Sequence, residues 1–165
     1  MLRKVIAVVV SYIVTSVAIG LLFLAAMLIL GIDGTLRPNE YWTTTTFNIV
    51  VLAGGTLIAL LGGMLCTVIA RSWKPALVVA GIMIAYGLVG AVQNMNKPDP
   101  PARTPKAEGQ TTMEYLNQIG KDLSSGGKEP IWFSFAAPLL GAGAFVVGSR
   151  LVKRGRSDSG SPAGA

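Results

Sequence analysis

Four long apolar stretches alternate with polar segments along the chain, and none of them contains Asp, Glu, Lys, Arg or His. A helix that crosses a bilayer needs about 20 mostly apolar residues at roughly 1.5 Å of rise per residue. The stretches of about this length are Val5–Ile32, Phe47–Ala70, Pro75–Gln93 and Ile131–Ser149. The pattern predicts an all-α, membrane-spanning four-helix bundle within residues 1–153.

The first stretch also resembles a signal peptide, because Arg3 and Lys4 precede it as a basic n-region would. Its 28 uncharged residues exceed the roughly 7–15 apolar residues of a signal-peptide core. No clean small-x-small cleavage site follows it before Asp33. We therefore expect a retained first span.

Basic residues collect in the short segments between and beyond the spans. The segments 1–4, 71–74 and 150–165 hold eight Lys and Arg against one acid, whereas the two longer segments hold six basic and seven acidic residues. Short segments rich in Lys and Arg lie on the cytoplasmic side of a membrane, so we expect both termini to be cytoplasmic. The residues expected to set this topology or to meet lipid headgroups are Arg3, Lys4, Arg71, Lys74, Arg150, Lys153, Arg154 and Arg156.

Composition agrees with a membrane location and argues against a nucleic-acid partner. Hydrophobic residues make up 52% of the chain and charged residues 13%, which is too few to give soluble helices their charged faces. The net charge is +6, but the basic residues lie beside span ends instead of forming a stripe on a folded domain. The bilayer is therefore the expected partner, and nucleic acid is not.

The polar segments between the spans differ in length and character. Only four residues, 71–74, separate spans two and three, which predicts an αα-hairpin of antiparallel neighbours. In the outer loop 94–130, Met113, Leu116, Ile119 and Leu123 have helical spacing, and Thr111 with Glu114 forms a capping-box pattern. This predicts a short amphipathic helix in the second outer loop. The polar tail 154–165 has nothing to bury, and we expect it to be disordered.

Small residues recur at helical spacing in spans two to four. Lipid tails are as apolar as leucine, so helices associate in a membrane where small residues let backbones approach closely. The residues expected to mediate helix packing are Gly55, Ala59, Gly62, Gly63, Cys66, Gly81, Ala85, Gly141 and Gly148. Such a row can also line a pore, but a pore usually needs polar groups at mid-depth. Asn48 and Gln93 are expected near the outer boundary, within reach of water.

Residue types with catalytic or metal-binding chemistry are scarce. The chain has no histidine and one cysteine, which removes His-based metal and haem sites and paired-cysteine redox chemistry. We expect no cofactor, no metal site and no catalytic residue. Acids in the outer loop leave an enzyme conceivable, but few apolar residues surround them to hold a rigid site.

Several stretches resemble a family of small, uncharacterised four-span bacterial inner-membrane proteins. The resemblance is carried by the segment from Gly62 to Arg71, by Pro130 with Trp132, by Pro138 to Gly143, by Gly148 with Arg150, and by the loop from Pro38 to Tyr41. It implies a four-span architecture and a bacterial inner-membrane location, and it implies no chemistry.

The leading interpretation is a non-enzymatic structural or accessory membrane protein that associates with itself or with another membrane protein. The alternative is an oligomeric transporter of a small neutral solute or lipid. A third interpretation, an envelope sensor that reads the outer loop, also remains open.

Overall fold

A computed structural model of the chain describes residues 2–37, 40–99, 102, 109–111, 114, 115, 117–119, 121 and 128–158, with the backbone alone for 153–158. The described residues form four long helices, α1 (Leu2–Thr35), α2 (Thr45–Ala70), α3 (Lys74–Asn96) and α4 (Ile131–Asp158). All four are long and apolar enough to cross a membrane, α4 through Ile131–Val152. The predicted all-α fold with four spanning helices is confirmed, and this is the architecture of a polytopic membrane protein.

The ends of α2 and the start of α3 follow from local sequence. At the start of α2, the hydroxyl of Thr44 accepts a hydrogen bond of 3.2 Å from the backbone N–H of Phe47. The helix ends where Arg71 adopts a left-handed conformation with φ of 53°. Pro75 lies in the first turn of α3, where its missing N–H costs no helical hydrogen bond.

α1 is interrupted one turn before its carboxyl end. Gly31 has φ of 66° and ψ of −176°, a conformation that glycine adopts without the steric cost of a Cβ. Beyond it, the backbone N–H of Thr44 donates to the carbonyl of Thr35 at 2.8 Å, and the hydroxyl of Thr44 donates to the carbonyl of Gly34. The last turn of α1 is therefore tied to the segment that starts α2.

The helices pack in a ring in which α4 lies between α2 and α3. The extensive contacts join α2 to α4, α1 to α2 and α3 to α4. Helices α2 and α3 contact each other only slightly, and so do α1 and α3. The prediction that spans two and three are neighbours in the bundle is therefore wrong. A short link joins the ends of these two helices, but glycine contacts bring α4 close to both of them and place it between them.

Most buried hydrophobic residues of the described chain fall into three clusters along the bundle. The first joins α2, α3 and α4 with the start of α1: Ala7, Ala59, Cys66, Ala70, Ala76, Val79 and Phe145. The second lies nearer the interhelical loops: Ala26, Phe47, Val51 and Phe133. The third lies among the loops themselves: Leu36, Tyr41, Tyr115 and Ile119. The last cluster places part of the second loop on the first.

The loops are joined at the backbone. Leu36 pairs with Thr43 across the first loop, and Trp42 pairs with Lys128 of the second loop, each as an isolated β-bridge. The backbone N–H of Lys128 donates to the carbonyl of Tyr41 at 3.1 Å. We call this end of the bundle the loop end, and the opposite end, with Arg3, Arg71, Lys74 and Arg150, the basic end.

The predicted loop helix and tail are described only in part. The capping box is present: the backbone N–H of Thr111 donates to the Glu114 carboxylate at 3.0 Å, and the N–H of Glu114 donates to the Thr111 hydroxyl at 3.3 Å. Residues 114, 115, 117–119 and 121 are helical, with Ile119 buried. Met113, Leu116 and Leu123 lie outside the described residues, so the helix as a whole stays a prediction. Helix α4 continues to Asp158, past the predicted start of the tail at 154.

Candidate functional site

Helices α2 and α4 approach closely at a pair of glycines. A Cβ on Gly63 would overlap the carbonyl oxygen of Phe145 and lie 2.7 Å from its carbonyl carbon. A Cβ on Gly148 would overlap the carbonyl oxygen of Leu60 and lie 2.8 Å from its carbonyl carbon. Because backbone atoms cannot turn aside as a side chain can, both positions require glycine. These two predicted packing residues therefore set the distance between α2 and α4.

Three more of the predicted packing residues surround this crossing. A Cβ on Gly62 would overlap the hydroxyl of Thr15 on α1 and lie 2.9 Å from Cε2 of Phe145. Ala59 and Cys66 are fully buried in the cluster around Phe145. Cys66 thus fills a helix contact, and its burial leaves little access for the reagents that modify exposed thiols.

Further small residues bring α4 to α3 and α2 to α1. The predicted residue Gly141 has its Cβ position 3.2 Å from Cε of Met83. A Cβ on Gly87 would overlap the ring of Pro138, and one on Gly54 would lie 2.8 Å from Cδ2 of Leu22. Sequence reasoning did not select Gly54, because a glycine that faces a single bulky side chain leaves no periodic signal. Gly87 lies four residues before Ala91, and this small-residue spacing does indicate a packing site.

The other predicted packing residues face away from the bundle. Gly81 and Ala85 on α3 are exposed, and within the described chain no atom of another helix lies within 4 Å of the Cβ position of Gly81. Gly55 is half-buried, and its Cβ position is equally open among the described residues. Gly55 and Gly81 therefore make no close contact inside the described bundle, and the packing role predicted for these three residues stays a prediction. The cause is the position of α4, which uses other faces of α2 and α3.

Basic side chains converge at the basic end. Nε of Arg3 donates to the carbonyl of Ile69 at 2.6 Å, one of the carbonyls that the end of α2 leaves without a helical partner. The guanidinium carbon of Arg150 lies 5.2 Å from the ring centroid of Trp73. These contacts bring the start of α1 and the carboxyl end of α4 to the α2–α3 turn. Arg71, Lys4 and Lys74 are exposed there, and the side chains of Lys153, Arg154 and Arg156 lie outside the described residues.

A cavity of about 500 Å³ opens at the loop end and is lined by all four helices. Its depth is apolar, and its rim carries hydroxyl, amide and charged groups. The apolar lining residues include Phe23, Met27, Phe47, Phe133 and Pro138. The polar residues of the rim are Thr35, Thr43, Gln93, Asn94, Lys97, Lys128, Glu129 and Ser134. This volume and this mixture of surfaces are typical of pockets for small ligands.

Asn94 builds one side of the rim by joining α3 to the start of α4. Its side-chain amide donates to the carbonyl of Glu129 at 2.8 Å and to the hydroxyl of Ser134 at 3.0 Å. Its side-chain oxygen accepts a hydrogen bond of 3.2 Å from the N–H of Glu129. Both donors of the carboxamide and one of the two lone pairs on its oxygen are thus used in holding the cavity wall.

Charged residues of the rim are mostly balanced. Nζ of Lys128 lies 2.9 Å from the carboxylate of Asp99 and 5.3 Å from the ring centroid of Trp42. Burial raises the pKa of the Glu129 carboxyl above its usual value, and the positive charge of Lys97 offsets part of that rise. The rim therefore presents a nearly neutral face, which suits an uncharged or zwitterionic headgroup over a charged solute.

Polar side chains buried inside the described bundle lie apart from this cavity rim. Asn48, expected near water, is instead 1% exposed, and its amide atoms find no hydrogen-bond partner among the described residues. The hydroxyl of Thr15 is likewise buried without a partner in the described chain. No group of three or more His, Cys, Asp or Glu in the described residues could hold a metal ion. Gln93 is exposed at the loop end, where the sequence placed it.

No protein-family model, curated protein or solved structure matches the chain. The resemblance to small four-span bacterial proteins therefore stays a prediction.

Proposed function

We propose that the protein is a non-enzymatic structural or accessory component of the bacterial inner membrane, with both termini cytoplasmic. On this proposal it associates, with itself or with another membrane protein, through the outward face of α3. The supporting observation is that Gly81 and Ala85, four residues apart, are exposed on α3, whereas glycines such as Gly63, Gly87 and Gly148 are used in internal packing. Such a spacing lets a second helix approach the backbone closely.

Residues around this pair support the proposal. Leu77, Leu88 and Val89 on the same helix are exposed large hydrophobic residues that would flank a docked helix. In a bilayer their exposure alone costs nothing, because lipid covers them. The small pair is the distinguishing feature, since van der Waals packing between helices gains most where the backbones come closest.

The experiment is native mass spectrometry of tagged protein, gently extracted from its own host, for the wild type and for Gly81→Leu, Ala85→Leu and Gly143→Leu. Gly143 is an exposed glycine on α4 with no contact within 4 Å among described residues and no small residue four positions away. We expect the first two variants to lose a homo-oligomer or a copurifying protein, and the Gly143 variant to keep it. Only monomer in the wild type, or equal loss in all three variants, would contradict the proposal.

The cavity at the loop end favours a second candidate, an oligomeric transporter of a small neutral solute or lipid. An apolar depth beneath a nearly neutral rim suits an uncharged amphipathic molecule. Flux of such a solute into liposomes tests this function. Gly90 lines the cavity and has open space at its Cβ position in the described chain. Gly90→Leu should therefore block flux while Gly143→Leu does not, and equal flux in both would count against transport through this cavity.

A further inference from the structure

The α1/α3 seam, the loosely packed boundary between α1 and α3, contains a groove at the basic end. The groove has a volume of about 390 Å³ and is lined by Lys4, Val5, Val8, Lys74, Pro75 and Val78. Four of these residues are apolar, and the two lysines come from different helices. The groove exists because α1 packs on α2 and α3 packs on α4, which leaves α1 and α3 in slight contact.

The two lysines differ from their basic neighbours in what they contact. Arg3 donates to the carbonyl of Ile69, and Arg150 lies over the ring of Trp73. In the described part of the chain, the side chains of Lys4 and Lys74 have neither a hydrogen bond nor an ion pair, and both residues are exposed. The acids whose side chains are described belong to the end of α1 or to the loops, at the far end of the bundle: Asp33, Glu40, Asp99, Glu114 and Glu129. The charge on this groove is thus left without an acidic partner from the described residues.

We infer that this groove binds one anionic phospholipid, with an acyl chain against Val5, Val8 and Val78 and the headgroup phosphate beside Lys4 and Lys74. A lipid matches both parts of the surface, because an ammonium group at a span end lies at the level of the headgroups while its stem follows apolar surface. A soluble anion would use the two charges and leave the apolar walls uncovered. A neutral lipid would cover the walls and leave the charges without a partner.

The test is native mass spectrometry of the full chain in detergent, titrated with phosphatidylglycerol and with phosphatidylcholine of the same acyl chains. We expect one phosphatidylglycerol to bind in preference to phosphatidylcholine. Lys4→Gln and Lys74→Gln should each weaken phosphatidylglycerol binding about fivefold, the change expected for one charge near a membrane surface. Arg71→Gln removes a charge at the same end but does not line the groove, and it should leave binding unchanged.

A fourth variant, Val78→Trp, fills the groove without altering either charge. It should reduce binding of both lipids, and thermal unfolding of each variant checks that the bundle remains folded. Equal affinity for the two lipids would overturn the inference, as would a loss in Arg71→Gln as large as in the lysine variants. Unchanged phosphatidylglycerol binding in folded Val78→Trp would also overturn it, because the lipid would then bind elsewhere.

Discussion

Glycines in this bundle differ in what a single methyl group would meet. At Gly63 the methyl group would meet the backbone of α4, whereas at Gly55 it would meet open space among the described residues. Both glycines are interior to α2, so replacement by alanine gains helix propensity at either position. The difference between the two substitutions therefore isolates the helix–helix contact.

We predict that Gly63→Ala destabilises the bundle and that Gly55→Ala does not. Overpacking against a rigid backbone costs about 1–3 kcal/mol, which exceeds the helix-propensity gain of up to about 1 kcal/mol. Unfolding of the purified protein in mixed detergents measures both changes. If the two variants unfold alike, α2 and α4 do not meet at Gly63.

Two carboxylates near the loop end respond to pH in opposite directions. Burial raises the pKa of Glu129 above its ordinary value of 4.5, so the folded protein holds this proton more tightly than the unfolded chain. The stability of the fold therefore decreases as the pH rises from about 4.5 through the pKa of Glu129 in the folded protein. The pKa of Glu114 is lowered by its hydrogen bonds from the backbone and hydroxyl of Thr111. Its contribution is present above 4.5 and is lost as pH falls through the lowered value.

We predict that Glu129→Gln has a higher melting temperature than the wild type at pH values above the pKa of Glu129 in the folded protein. At pH 4 the substitution should have little effect. Glu114→Gln is the matched control, and it should lower the melting temperature slightly at neutral pH, with the difference shrinking in acid. Thermal unfolding across this pH range separates the two. A pH-independent effect of Glu129→Gln would mean that its carboxyl is not desolvated by folding.

At the residue scale, spacing predicted which small residues are candidates for contact but not which of them are used. Ala59, Gly62, Gly63 and Cys66 lie in the crossing, whereas Gly55 in the same span lies outside it. A period of four residues identifies a stripe along a helix, but the neighbour that covers the stripe is set by the other helices. That information is absent from the span itself.

Between elements, the polar tie from α3 to α4 depends on one side chain. Asn94 makes three hydrogen bonds to Glu129 and Ser134 at the point where α4 begins. Its neighbour Gln93 is exposed and carries the same carboxamide group. Substitutions at these two residues therefore distinguish the loss of the hydrogen bonds between α3 and α4 from the loss of a carboxamide group alone.

We predict that Asn94→Ala costs about 1–3 kcal/mol of unfolding free energy, because it leaves the partly buried backbone groups of Glu129 without their partners. Gln93→Ala should change the unfolding free energy by less than about 0.5 kcal/mol, as expected for an exposed side chain. Unfolding in mixed detergents measures both, and a cost shared equally by the two variants would argue against the tie.

The arrangement of the helices was only partly predictable. The length of the uncharged stretches predicted all four spans, and the structure extends them where flanking polar residues continue the helix, as at Leu2–Lys4 and Asn94–Asn96. The prediction that α2 and α3 are neighbours was wrong. A four-residue link holds the ends of two helices close together, but it does not determine which helix each of them packs against along its length. The β-bridges between the loops, such as Trp42 with Lys128, are backbone pairings with no repeated side-chain pattern to reveal them.

At the scale of the whole molecule, the contacts of Arg3 and Arg150 bring the start of α1 and the carboxyl end of α4 to the same end of the bundle. We predict that this end faces the cytoplasm. In a Cys66→Ala background, Asn117→Cys at the exposed loop end should react with a membrane-impermeant maleimide in intact cells. Ser72→Cys, in the α2–α3 turn, should react only after the cells are permeabilised. The reverse labelling pattern would show that the basic end faces away from the cytoplasm.

The position of α4 between α2 and α3 has a consequence for biosynthesis. Ribosomes make α4 last of the four helices, yet α4 covers Gly63 of α2 and Gly87 of α3. Until it enters the membrane, those two faces have only lipid or the insertion machinery beside them, since α2 and α3 contact each other so little. A nascent chain halted before Ile131 would therefore hold α1 packed on α2, with α3 only loosely associated with either of them. Such an intermediate is a natural substrate for the membrane proteases and chaperones that monitor incomplete assembly.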